Sequence, residues 1–338
     1  MNVFKRFTLA IVFAFSIGIV ASQDVRAEVT NFPNGISSFG MVVIPGIGSE
    51  VYSGNVFFVD SGDPEGSDNP ASGDRLTPYS SMNYADTRTT ANNGDVVYVL
   101  PGHVETVDAT ADLDLNTAGI TWIGLGRGSN RPTIKFTSTT TADMNVDAAN
   151  IAMINFLFEA RVQLLAAPLD INAADCRLIN IETRDIDEKG SATNFIVCDA
   201  NADRLLINGY IHRGTPTAGT GHPISAISLT GGDDIEIRNF YIYGNFDLSG
   251  IMTTSTNATR LNIHSGKIWT ENSTDSTISV QGSTGWIGPN VSSMLNTNGS
   301  NITQALVGTG MQFFGPNPIC NLAGEKAVTD TNITASTD

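Results

Sequence analysis

One short stretch, RDIDEKG at 184–190, brings together side chains that could act on a substrate, Arg184, Asp185, Asp187 and Glu188, followed by Asp199 and Asp203. Clustered carboxylates suit calcium, which takes several oxygen ligands. Asp185, Asp187, Asp199 and Asp203 are the candidate ligands, and the same residues would also make an ordinary acidic turn. His103 and Glu105, in PGHVET, are two residues apart. On a strand they would share a face and could pass a proton or hold a metal; a histidine held in a turn is the competing reading. Asp233 and Asp234 fall in TGGDD, where aspartate suits a turn by itself. Gly124, Gly126 and Gly128 are spaced like a dinucleotide loop, but Arg131-Pro132 and another strand follow, so no helix is there to hold a pyrophosphate. Neither GxSxG, HExxH nor a P-loop occurs in the chain.

A repeat positions these residues. INFLF, INIET, INGYI, RNFYI and HSGKI align on Asn155, Asn180, Asn208, Asn239 and Ser265, at steps of 25, 28, 31 and 26 residues. Periods of that size mark a stacked array. Four and two residues before the aligned position stand Ile151 and Met153, Cys176 and Leu178, Ile235 and Ile237, Leu261 and Ile263; the third row offers Arg204 and Leu206 and breaks the rule. Three residues after it stand Phe158, Thr183, Ile211, Ile242 and Ile268. Apolar residues at every second position predict short strands with one buried face. No row holds two helices, so each is one coil of a parallel β-solenoid, stabilised by stacking on its neighbours. An asparagine recurring at a bend suits a left-handed backbone, and stacked amides can bond from coil to coil.

The positions between the inward ones should face solvent. Two residues after the aligned position lie Leu157, Glu182, Tyr210, Tyr241 and Lys267; four after it lie Glu159, Arg184, His212, Tyr243 and Trp269. Stacked coils would set them in two ladders on one exposed sheet. Aromatic rings cover apolar sugar faces while charged and polar tips meet hydroxyls. Glu182, Arg184, Tyr210, His212, Tyr241, Tyr243, Lys267 and Trp269 are therefore the candidate carbohydrate-binding set. The alternative is that the aromatic residues merely cover a β surface.

On these rows the chain resembles a right-handed parallel β-helix of the pectate-lyase-like superfamily, over about residues 55–290. The resemblance implies an all-β solenoid. An active lyase of that kind would need carboxylates holding calcium and an Arg or Lys to take a proton, and here Arg184 and the four aspartates are the group to consider. The polygalacturonase-like pattern is not met: Gly221-His222-Pro223 precedes Asp233-Asp234, in the wrong order, with proline where glycine belongs. The resemblance implies a fold without carrying over a catalytic set.

Composition narrows the function further. The chain has a net charge of −16. Residues 1–27 contain Lys5, Arg6 and Arg26 against Asp24, then an apolar run from Thr8 to Val20 and a small-residue site at Ala27, the pattern of a signal peptide. Its removal leaves a chain more negative by two charges, at −18. Such a surface disfavours nucleic acid. It would also repel polyanions unless calcium or a local basic patch intervened. The protein is expected to be exported (extracellular, periplasmic or on a cell surface), with a virion as the other setting. Three cysteines are too few for a disulfide framework. Cys176 is expected in the core, with a bridge to Cys198 left open.

Residues 28–54 should be an extended leader, 55–320 the β-helix, and 321–338 a flexible tail. SGDPEGSDNPASGD should be a solvated acidic loop. Thr77-Pro78 should start a short helix over 78–91 that covers the first coil. Asn298 and Asn301 lie in Asn-x-Ser/Thr sequons. TNFPNGISSFG, VFFVDSGD and FFGPNPICNLAGE are also similar to β-helical proteins of tailed-phage genomes, and a homo-oligomer would follow by analogy alone. Two functions fit: a non-catalytic exported or virion-associated structural protein that binds a polysaccharide or cell-surface glycan, or a secreted polysaccharide lyase or glycoside hydrolase.

Overall fold

A computed structural model describes residues 54–186, 191–215, 223–254, 256–271, 276–295 and 306–321, and the short strands Ser37–Ser38, Met41–Val42 and Ile333–Thr334. The chain divides into two units, Met1–Pro33 and Asn34–Asp338, and all described residues belong to the second. The signal-peptide-like segment, most of the leader and tail, Asp187, Glu188, Gly221-His222, Asn298 and Asn301 lie outside the described residues.

The strands form three long sheets, each of which takes one strand from every coil. Sheet 1 has ten strands, from Val56–Val59 to Met311–Phe313; sheets 2 and 3 have nine each, beginning at Val104–Val107 and Leu113–Leu115. Along all three, each strand pairs in parallel with the strand one coil on, as where Met153 meets Leu178 and Leu178 meets Ile207. This is the expected parallel β-helix. In such a stack every residue sits in a column, at roughly the 4.7–4.9 Å strand spacing from its equivalents.

Left-handed corners hold the columns in step. Between sheets 1 and 2 the chain turns at Asn155, Asn180, Gly209, Asn239 and Ser265, all with positive φ (65°, 53°, 76°, 53° and 55°). Five residues earlier a second set of positive-φ residues (Asn150, Asp175, Arg204, Asp234 and Arg260) turns the chain into sheet 1. Asn155 Nδ2 donates to the carbonyl of Gly124 at 2.6 Å, and Asn239 Nδ2 donates to Asn208 Oδ1 at 2.8 Å, so corner amides do bond coil to coil. The third row is therefore aligned on Gly209 and not, as expected, on Asn208. With that one-residue correction Leu205 and Ile207 become its inward pair, both fully buried, and Arg204 becomes a corner. The broken row is not broken.

The core runs the length of the stack as one apolar cluster. Cys176 and Cys198 are both buried as free thiols. A smaller cluster of Phe58, Val96, Tyr98, Leu100 and Ile123 lies apart from that core, which explains why NVFFVD and DVVYVL lack alternation: both faces of these strands are buried. In the inward columns of sheet 2, Ile134 and Phe158 lead to Thr183 and His212 before Ile242 and Ile268 resume, and Ala160 leads to Asp185. These two columns of sheet 2 therefore turn polar midway along an otherwise apolar core.

A helix shorter than the expected 78–91 packs on the first strands of sheets 1 and 3. α1 spans Met82–Asp86, with Ser81 as its N-cap accepting from the Tyr84 N–H at 3.2 Å. It does not begin at Thr77-Pro78, because Tyr79 is bridged to Val59 in extended form and Asp68 takes the N–H groups of Ser80 and Ser81. The acidic loop is built from such turns: Asp63 accepts from Glu65, and Asp74 from Leu76 and Thr77, which holds the Asp74 pKa below the usual range. His103 is a buried structural histidine. Its Nδ1 accepts from Ser61 N–H at 2.9 Å, so Nε2 donates to Glu105 at 2.9 Å, and Glu105 in turn accepts from the Met82 N–H at the start of α1.

Gly209 tests the corner directly. A Cβ there would lie 2.5 Å from Asn180 Oδ1 in a left-handed conformation. Gly209→Ala should lower the unfolding free energy by about 1–2 kcal/mol, seen as a lower urea midpoint at unchanged slope.

Candidate glycan-binding surface

The outward face of sheet 2 carries two columns. The first contains Leu157, Glu182, Ile211, Tyr241 and Lys267; the second contains Lys135, Glu159, Arg184, Arg213, Tyr243 and Trp269. Glu182, Arg184, Tyr241, Tyr243, Lys267 and Trp269 thus stand on the expected face. Tyr210 and His212 do not. With the third row realigned, Ile211 and Arg213 take the outward positions, and Tyr210 and His212 are fully buried. The sequence held a signal for this: the Arg204–Leu206 pair that broke alternation is cured by the same one-residue shift. Arg131 and Arg161 were also missed, and no periodicity could have found them, since they flank the strands.

Glu182 organises the upper part of the surface. Arg131 donates to its Oε2, while Arg184 Nε (2.7 Å) and Arg213 Nε (3.0 Å) both donate to Oε1. Burial alone would raise the Glu182 pKa, but hydrogen bonds from Arg184 and Arg131 outweigh it and hold the carboxyl below its usual range. One coil earlier, Arg161 donates to Glu159 through Nε at 3.0 Å and Nη2 at 2.6 Å. Two carboxylates thus underlie four arginines (Arg131, Arg161, Arg184 and Arg213), and Lys135 is the register partner of Glu159, so the described residues of this patch carry an excess of positive charge on a chain whose net charge is −16. The side chains of Arg161, Arg184 and Arg213 are 41%, 35% and 57% exposed, so they reach the surface with their charge.

Two coils further on the columns turn aromatic. Tyr243 and Trp269 meet edge to face at 5.4 Å, and Tyr243 O–H donates to Glu271 at 3.3 Å. Trp269 Nε1 is buried without a hydrogen-bond partner among the described residues. Tyr241 and Lys267 stand beside them in register.

The proposed calcium ligands do not form a set. Asp185 points into the core, where its Oδ1 accepts from the Ala192 N–H at 3.2 Å. Asp199 accepts from Ala200 and Thr230 beyond sheet 3, and Asp203 Oδ1 accepts from the Asp233 N–H at 2.8 Å. Asp187 lies outside the described residues, and among those described no three His, Cys, Asp or Glu side chains come together as a metal site. Asp185, Asp199 and Asp203 serve interior and turns, so the residues present do not fit a shared calcium ion. Asp233 is tied to Thr259 and Arg260, while Asp234 is a corner residue.

No protein-family profile and no curated protein matches the chain. Among solved structures, a chain described as a rhamnogalacturonan lyase is similar at a TM-score of 0.34 and 14% identity, covering 84% of this chain and 66% of that one. This chain thus spans just under two thirds of that protein's length. The architecture stands on its own strand pairing: it is a parallel β-helix.

Glu182→Gln would leave three guanidiniums without their carboxylate. The loss should be roughly 2 kcal/mol near pH 7, below the value for a fully buried pair because Arg184 and Arg213 are solvated. A depressed carboxylate contributes stability above its unfolded pKa and loses it as pH falls through the folded one. Urea unfolding should therefore show the variant's full deficit at pH 7, and the deficit should shrink only as the pH falls below the ordinary glutamate value of about 4.3 toward the lower folded one.

Proposed function

We propose that this protein is an exported, non-catalytic β-helix that holds an acidic polysaccharide along the outward face of sheet 2. The observation that carries the reading is the juxtaposition, on one face, of a cationic cluster and an aromatic pair. Guanidinium groups that reach the surface suit carboxylate or sulfate substituents, since charge-assisted, planar donors are strongest for such anions. Tyr243 and Trp269, next along the column, offer apolar surface to sugar rings. An acidic chain would otherwise be repelled by the protein's net charge, so a local reversal of sign gives the surface its selectivity. The signal-peptide-like residues 1–27 support export, and the phage-like leader and ending support a virion as the alternative setting.

Binding of polygalacturonate, alginate and heparan sulfate, with a neutral glucan as control, tests the proposal by calorimetry. The acidic polymers should bind and the glucan should not, with affinity falling as salt rises. Arg184→Ala with Arg213→Ala should weaken binding at least tenfold, and Trp269→Ala severalfold. Unsaturated products or new reducing ends would instead establish a lyase or hydrolase. Equal binding of the neutral glucan would remove the role given to the arginines.

A further inference from the structure

The polar residues at the centre of the core form a line. Tyr210 Oη and Thr183 Oγ1 are 2.7 Å apart, Thr183 Oγ1 and His212 Nδ1 are 2.8 Å apart, and His212 Nε2 faces Asp185 Oδ2 at 3.6 Å. Asp185 Oδ1 is already taken by the Ala192 N–H. His212 Nε2 and Asp185 Oδ2 are buried and have no hydrogen-bond partner among the described residues, so each is what the other has to meet. Phe195 and Phe246 close over the imidazole at 5.9 and 5.6 Å between ring centres.

We propose that Tyr210, Thr183, His212 and Asp185 form a buried hydrogen-bonded chain whose direction is set by one proton on Asp185, making it a pH-operated switch inside the strands that present Arg184 and Arg213. With Asp185 protonated, Oδ2–H donates to Nε2, Nδ1–H donates to Thr183, and the Thr183 hydroxyl donates to Tyr210. With Asp185 ionised, every arrow reverses: Tyr210 donates to Thr183, Thr183 to Nδ1, and Nε2–H to the carboxylate. Between the two states the O–H bond of Asp185 breaks and an N–H bond forms at Nε2, while the Nδ1 proton passes to Thr183, the Thr183 hydroxyl proton passes to Tyr210, and the displaced Tyr210 proton is the one the chain gives up. Each hydroxyl keeps one proton with its direction reversed, so no heavy atom need move far. This inference does not depend on the glycan reading.

The surroundings favour such a switch. Burial raises the Asp185 pKa to about 7, partly offset by the Ala192 hydrogen bond, and burial lowers that of His212 to about 3, so the ring stays neutral while Asp185 titrates. Burial also pushes the Tyr210 hydroxyl and the Cys198 thiol of the facing sheet 3 strand well up, keeping both neutral. Ala160 is the neighbour of Asp185 in its column, and no lysine or arginine is among the buried described residues. Glu182, Arg184 and Arg213 belong to the same strands but stand on the outward face. Asp170, between the inward-facing Leu169 and Ile171 of sheet 3, is also raised, to about 6 by burial and then by Asp199, but it lies on the other face of its strand. Asp185 is the inward-facing carboxyl of the polar line.

Histidine-selective 15N and 13C NMR of the full chain tests the switch, with the His212 signal assigned by its loss in His212→Gln. The ring should be the neutral Nδ1–H tautomer at pH 5.5 and the neutral Nε2–H tautomer at pH 8.5, with a midpoint near 7. In Asp185→Asn the Ala192 N–H keeps the amide oxygen in place and turns the NH2 group toward Nε2, so the Nδ1–H tautomer should persist at both pH values. One tautomer throughout in the unaltered chain, an imidazolium at pH 5.5, or an Asp185→Asn ring that still switches would each overturn the proposal.

Discussion

Everything in this molecule depends on coils that stack in register, and the register is set where the backbone turns left-handed. A strand has a side-chain period of two, so a slip of one residue exchanges its inner and outer faces. At the corner between sheets 1 and 2, asparagine, glycine and serine take a conformation that most residues resist. Each corner residue therefore decides which side chains of the next strand enter the core. In a solenoid that decision is also held by the coils on either side, because each strand pairs with both.

The same constraint makes one short segment serve two purposes. Along Glu182–Asp185, Glu182 and Arg184 face out to the cationic surface, while Thr183 and Asp185 face in to the polar line with His212. One coil later Arg213 and His212 divide in the same way. Outside, the carboxylate of Glu182 offsets part of the repulsion among the three arginines that crowd around it. Inside, polar groups are tolerated because most of them find one another, as buried polar groups must. Chemistry-bearing residues are dense in this stretch because both faces of its strands use them.

Most of the architecture was legible in the sequence because alternation and corner residues recur at every coil. Ile151 with Met153 and Ile235 with Ile237 announced inward pairs, and the asparagines announced the bends. The third row misleads because it offers an asparagine, Asn208, directly before the residue that turns, Gly209, so residue identity and alternation disagree there. That one-residue difference alone separates an outward Tyr210 and His212 from the buried pair. Arg131 and Arg161 were invisible because they reach the surface from the strand ends, and Asp199 and Asp203 looked like ligands because an acidic turn and a metal loop share a composition. Spacing along the chain says which column a strand residue joins; it does not say what a loop residue will meet.

The central claim is that the outward face of sheet 2 is the surface that meets a glycan. Hydroxyl-radical footprinting of the full chain, with and without a saturating acidic polysaccharide, tests it most directly by reading each aromatic residue separately. Tyr241, Tyr243 and Trp269 should be protected on binding, while Trp286, exposed on sheet 1, should react as before. Protection of Trp286 with Tyr243 and Trp269 unchanged would place the ligand on another face and contradict the account.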